Sequence, residues 1–202
     1  MNQLLGNDKI IVRFISLYGL GLVLFFISWS IAYYLLPDGL FRGIGLLGRL
    51  AGETSSDTIH REFIMILILN IFGFALIIIG NLILRVKNFS FGYLVPLAWM
   101  IIYAVTLGTN SFSIPMETTM APSLAVFNRS GLYEMMAAVL LAVATNTISI
   151  NKSETFFTPS KPIPKDKRVP LKKDQWIAVG IAFLILTAAA FREAYMIISL
   201  SR

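Results

Sequence analysis

Five long apolar blocks, separated by short polar segments, constrain this chain more than any other feature. They run over Phe14–Leu36, Phe63–Leu84, Phe91–Thr109, Leu132–Ile150 and Trp176–Leu200. The hydrocarbon core of a bilayer is about 30 Å thick, and about 20 helical residues rising 1.5 Å each will cross it. Peptide groups in lipid have no water to bind, so a lone segment of this length satisfies them only as a helix. The alternation of polar and apolar residues that marks outer-membrane strands is absent from these blocks. The expected fold class is all-α: a polytopic membrane helix bundle of five transmembrane helices, forming one integral membrane domain over residues 1–202.

Composition agrees with that reading. Hydrophobic residues make up 56% of the 202 and charged residues 14%, against about 25% charged in an average soluble domain, and the mean hydropathy is +0.75. The formal net charge of +6 lies mostly in loops between the apolar blocks. That is the footprint of membrane topology and not of a phosphate-binding face, so no nucleic-acid partner is expected. The chain has no cysteine and one histidine, His60, which leaves no disulfide, no thiolate chemistry and no basis for a histidine metal site. Neither a metal nor a cofactor is expected. The first block is 23 residues long, beyond the roughly 7–15 residues of a signal-peptide core, and no small-x-small cleavage site follows it. It reads as a retained anchor.

Orientation follows from the Lys/Arg bias of the flanks. With the N-terminus cytoplasmic, eleven basic residues (Lys9, Arg13, Arg85, Lys87, Lys152, Lys161, Lys165, Lys167, Arg168, Lys172 and Lys173) fall inside and five (Arg42, Arg49, Arg61, Arg129 and Arg202) outside. The expected location is the cell membrane, with the N-terminus in and the C-terminus out. Most of the bias comes from Asn151–Gln175, which holds four prolines and seven basic residues and cannot bury enough apolar area to fold alone. It reads as an extended cytoplasmic linker. Lys161, Lys165, Lys167, Arg168, Lys172 and Lys173 are its candidate contacts with anionic lipid headgroups or an acidic partner surface; the plainer reading is charge that only fixes topology. Gly39–Gly52 alternates apolar residues with glycines and two arginines. It reads either as a short interfacial or re-entrant helix or as a loop tucked against the bundle. Glu53–Thr58 leads into an N-cap for the second span, and Pro96 marks a kink near the inner end of the third.

Ionisable groups inside spans are costly and are therefore candidate functional sites. Glu134, Arg192 and Glu193 qualify, with Asn70, Asn81 and Asn146 as uncharged company. Glu134 falls about one turn, and Glu193 about two turns, inside the outer ends of their spans. With the fourth and fifth spans adjacent, Glu134, Arg192, Glu193 and Arg129 form one paired cluster near the outer face, with Asn70 as a further polar member. The alanines of both spans allow close helix packing around it. Two carboxylates also invite an acid/base reading, but no nucleophile beside a base, no H-E-x-x-H motif and no phosphate-cradling loop accompanies them. No catalytic residue is assigned, and the chain is not read as an enzyme.

Several stretches together resemble the stage II sporulation protein M-like membrane family: REFIMILILNIFGFALIIIGNLIL with Asn70, NFSFGYLVPLAWMI with Asn88 and Gly92, RSGLYEMMAAVLLAVA with Gly131 and Glu134, and LILTAAAFREAYMI with Ala189, Ala190 and Glu193. Arg129 and Ser130 stand where that family has proline and histidine. The resemblance runs from about Phe63 to the C-terminus. It implies a non-catalytic scaffold or accessory subunit that assembles with other membrane or envelope proteins. The sporulation member is thought to hold wall hydrolases at the membrane, and many relatives look like partners of ABC transport systems. The alternative is therefore the membrane component of an ABC-type exporter or of a peptide (bacteriocin) immunity system. Expected partners are the lipid bilayer and other membrane proteins, including an ATP-binding transporter subunit or a second copy of the chain.

Overall fold

The computed structural model describes residues 2–42, 58–112, 116–125 and 131–200. A four-residue helix α1 (Asn2–Leu5) precedes α2 (Ile10–Leu35), α3 (Ile59–Ile83), α4 (Leu94–Gly108), α5 (Leu132–Ala144) and α6 (Lys173–Leu200). A 3₁₀ turn, Phe91–Tyr93, leads into α4. Among the described residues, four segments are long and apolar enough to cross a membrane: α2, α3, Phe91–Gly108 and α6. Thr58 caps α3 through a side-chain oxygen that accepts from the Arg61 amide at 3.4 Å, where the polar lead-in predicts a cap.

The fourth apolar block departs from expectation. Its helix, α5, has 13 residues, about 20 Å, and is too short to cross a core of about 30 Å. Polar side chains supplied by three other helices end it. The last carbonyls of a helix lack partners in its own ladder, and here side chains supply them. Leu141 O accepts from the Thr145 amide and hydroxyl. Asn81 Nδ2 donates to Ala142 O at 2.8 Å, an Arg13 Nη to Val143 O at 3.2 Å, and Gln175 Nε2 to Ala144 O at 2.8 Å. Beyond Thr145 the chain binds the end of α3 instead of coiling on: Ser149 Oγ donates to Asn81 O, and the Ile150 amide to Leu82 O.

The same contacts give the direction of every helix. The starts of α2 and α6 meet the ends of α3 and α5, so α2, α4 and α6 run one way and α3 and α5 return. Parallel α2 and α4 approach closely at Gly108, where an added Cβ would meet Ala32 Cβ at 2.7 Å and Trp29 O at 2.9 Å. Small residues permit such approach where lipid offers no hydrophobic drive. One core cluster joins Leu17, Phe74, Ile77, Tyr93, Leu141 and Leu186; another, towards the far end, joins Phe25, Trp29, Met100, Ala104, Leu107 and Met135.

All-α is also only approximate. Four short strands, β1 (Arg85–Val86), β2 (Phe89–Ser90), β3 (Asn151–Ser153) and β4 (Lys161–Pro162), form a sheet in the order β2-β1-β3-β4. The β1–β3 pair is parallel and the outer two pairs are antiparallel. This corrects the reading of Asn151–Gln175 as an extended linker: the segment orders itself by adding to the edge that β1 presents at the end of α3, and a 3₁₀ turn, Lys165–Lys167, follows. Pro96 lies in the first turn of α4, where proline lacks no ladder hydrogen bond, so it starts a helix where a kink was expected. Most of Gly39–Gly52 lies outside the described residues. Its first residues fold onto the end of α4, with the Gly39 amide on Thr109 O and an Arg42 Nη on Asn110 O at 2.9 Å.

Candidate functional site

Most of the residues singled out by their cost in lipid lie where α3, α5 and α6 meet. On α3, Asn70 and Asn81 are eleven residues apart, which is close to three full turns, so both face the bundle interior, and both are buried. Asn70 Nδ2 donates to Glu134 Oε1 at 2.9 Å. The Glu134 carboxyl also hydrogen-bonds the carboxyl of Glu193. A carboxyl–carboxyl hydrogen bond needs a proton between the two groups, so at least one of the pair is protonated.

Depth differs from the sequence estimate. Glu134 is in the first turn of α5, but α5 begins well inside the bundle. Its partner Asn70 is the twelfth of the 25 residues of α3, about 16 Å from the start of that helix and about 20 Å from its end. The Glu134 carboxyl thus sits near the middle of the bundle. Glu193 stands higher, since its neighbour Phe191 meets Phe63 edge-on at 5.9 Å.

Arg192 and Glu193, successive on α6, point to different neighbours. The Arg192 guanidinium lies 5.4 Å from the centre of the Tyr133 ring, within cation–π range. Arg192, Tyr133, Ile185, Ala188 and Ala189 line an open hollow of 310 Å³ on the α5–α6 side. The hollow exists because two alanines face it. Arg129 lies outside the described residues. Lys161, Lys165, Lys167, Arg168, Lys172 and Lys173 are all exposed, at the opposite end of the bundle.

Two groups of residues escape a reading by span. Glu62, in the first turn of α3, is buried and acts electrostatically on Glu193. Its position eight residues before Asn70 on the same helix was the available signal. The second group is a polar collar at the sheet end. Besides Arg13, Asn81 and Gln175, it includes Tyr93, whose hydroxyl hydrogen-bonds Asn146. Arg13 also donates to Asn7 O and Asp8 O, so three backbone carbonyls, one of them at the C-terminus of α5, surround this buried cation. Among the described residues, no three His, Asp or Glu side chains gather as a metal site. Comparison with protein-family models, with curated proteins and with solved structures gave no match.

Fold and site define the class: a multi-pass helical membrane protein with a carboxyl pair set where three helices meet and a small basic sheet at one end.

Proposed function

We propose that the chain is a non-catalytic scaffold or accessory subunit of the cell membrane, assembling with other membrane or envelope proteins through the outer half of α6. One observation carries this reading. Glu193 hydrogen-bonds Glu134 on its inner side yet leaves part of its surface exposed on the outer side of α6, and it lies 17 residues, about 25 Å, beyond Trp176 at the start of that span. This is inside a core of about 30 Å. An ionisable side chain facing acyl chains is costly, and such residues almost always face protein or water. Phe191 and Tyr195, both more than half exposed beside it, offer aromatic anchors of the kind that dominate interfaces. A neighbouring helix covering this face would relieve the cost.

The family resemblance supports the same role, as does the use of intramembrane polar groups to bind helix ends and one another. The Lys/Arg bias orients the sheet end to the cytoplasm and the C-terminus outward. The test is capture from native membranes. With a photo-crosslinking residue at Tyr195, the expected result is a defined crosslinked partner, identified by mass spectrometry and lost on Glu193→Leu. An ATP-binding transporter subunit as that partner would select the exporter reading; a chain that crosslinks to nothing and purifies alone overturns the proposal.

A further inference from the structure

Between β3 and β4 the chain turns through Glu154–Thr158, held by hydroxyl groups. Ser153 Oγ lies 2.7 Å from Thr155 O, 2.9 Å from Thr158 O and 2.8 Å from Thr158 Oγ1. The Thr155 amide donates to Thr158 Oγ1 at 3.0 Å, and the Thr158 amide to Thr155 Oγ1 at 3.1 Å. What this network displays is apolar. Phe157 is 98% exposed and Phe156 63%, with Phe156 edge-on to Phe89 at 6.0 Å. A polar frame that holds two aromatic rings outward has built a contact surface.

Charge indicates what the surface meets. Lys152 and Lys161 are register partners across β3–β4, and like charges directly opposite destabilise a strand pair. An anionic layer over the sheet would remove that repulsion. Residues 151–175 hold seven basic side chains against three acidic ones, Glu154, Asp166 and Asp174.

Connectivity places the surface. Leu84 alone separates α3 from β1, and β2 runs directly into the turn that opens α4. Trp176, 61% exposed, sits in the first turn of α6, the position of an interfacial belt residue. Strands of two or three residues rise about 3.3 Å per residue, so the sheet extends about 10 Å from the span ends. The headgroup layer on each side of a bilayer is about 5–7 Å deep.

We propose that the hairpin Asn151–Pro162 is an interfacial anchor. Phe156 and Phe157 seat among the anionic headgroups of the membrane that the helices cross, while Lys152, Lys161 and the basic residues from Lys165 to Lys173 bind the lipid phosphates.

Because the chain has no cysteine, Ser160→Cys gives a single site for a nitroxide beside the turn, with both phenylalanines and all charges kept. The full chain is reconstituted in phosphatidylcholine alone and in phosphatidylcholine mixed with phosphatidylglycerol. In the mixed bilayer the label should become several-fold less accessible to a water-soluble nickel complex and more accessible to oxygen. Phe157→Ser should reverse that shift, as should Lys152→Glu combined with Lys161→Glu. A Thr119→Cys label at the other end of the bundle reports that each variant is folded. A label equally open to water in both bilayers overturns the proposal and leaves a soluble partner as the occupant; protection that ignores lipid charge overturns the role of the lysines.

Discussion

Asn81 is the clearest case of a single side chain that ties helices together. Its Nδ2 donates to Ala142 O at 2.8 Å and to Thr145 Oγ1 at 2.7 Å, and the residue is fully buried. Asn81→Ala should destabilise the protein by about 1–3 kcal/mol, the cost of leaving a buried carbonyl unsatisfied, read as a lower midpoint of thermal unfolding in detergent. Opposite it, Gly92 has no room for a side chain: an added Cβ would run into Asn81 Oδ1 and Ile77 O. Gly92→Ala forces backbone apart, at about 1–3 kcal/mol, and the same measurement should show a loss at least as large as for Asn81→Ala. Glu134 tests the carboxyl pair. An amide still accepts from Asn70 and can donate to Glu193, so Glu134→Gln should keep near-normal abundance in membranes. Glu134→Leu leaves Asn70 and Glu193 without that partner and should lower abundance. Equal abundance of the two variants would show that the pair contributes nothing to folding.

At the scale of elements, α5 is where sequence pattern and structure diverge. Hydropathy alone carries the block on to Ile150, because Ile148 and Ile150 are apolar. The helix stops at Ala144 because Thr145, Asn146 and Ser149 find hydrogen-bond partners outside it, Thr145 and Ser149 on Asn81 of α3 and Asn146 on Tyr93 of the 3₁₀ turn. Asn81, Arg13 and Gln175 act on three successive carbonyls of one helix end, so their effects should not add. Arg13→Gln combined with Gln175→Ala should destabilise by a sum differing from the single effects by about 0.5 kcal/mol or more, measured as a double-mutant cycle in detergent. Strict additivity would show that the three caps act independently. The sheet was illegible for a related reason. Strands of two or three residues carry no periodicity, and β1 meets β3 across more than sixty residues of sequence.

At the scale of the molecule, three of the described long helices, α2, α4 and α6, run away from the sheet and α3 and α5 return, which puts the sheet and the segment around Met116–Leu124 at opposite ends. Trp29 Nε1 fixes that segment to the end of α2 through Met120 O at 3.0 Å. Single cysteines at Lys167 and Thr119 should therefore react with a membrane-impermeant maleimide from opposite sides of sealed vesicles; labelling from the same side would refute the arrangement. The sequence by itself determined that the chain carries long membrane-spanning helices, that a polar cap precedes the second of them, and that Asn70, Glu134 and Glu193 are the costly groups to watch, because each follows from a local property: apolar length, a cap, a charge in lipid. Only the tertiary structure decided that one apolar block makes a short helix, that Glu134 pairs with another carboxyl near the middle of the bundle, and that a basic linker folds into a sheet. Those outcomes depend on partners distant in the chain, and a polar group in a membrane protein settles wherever the nearest unsatisfied donor or acceptor is brought by packing.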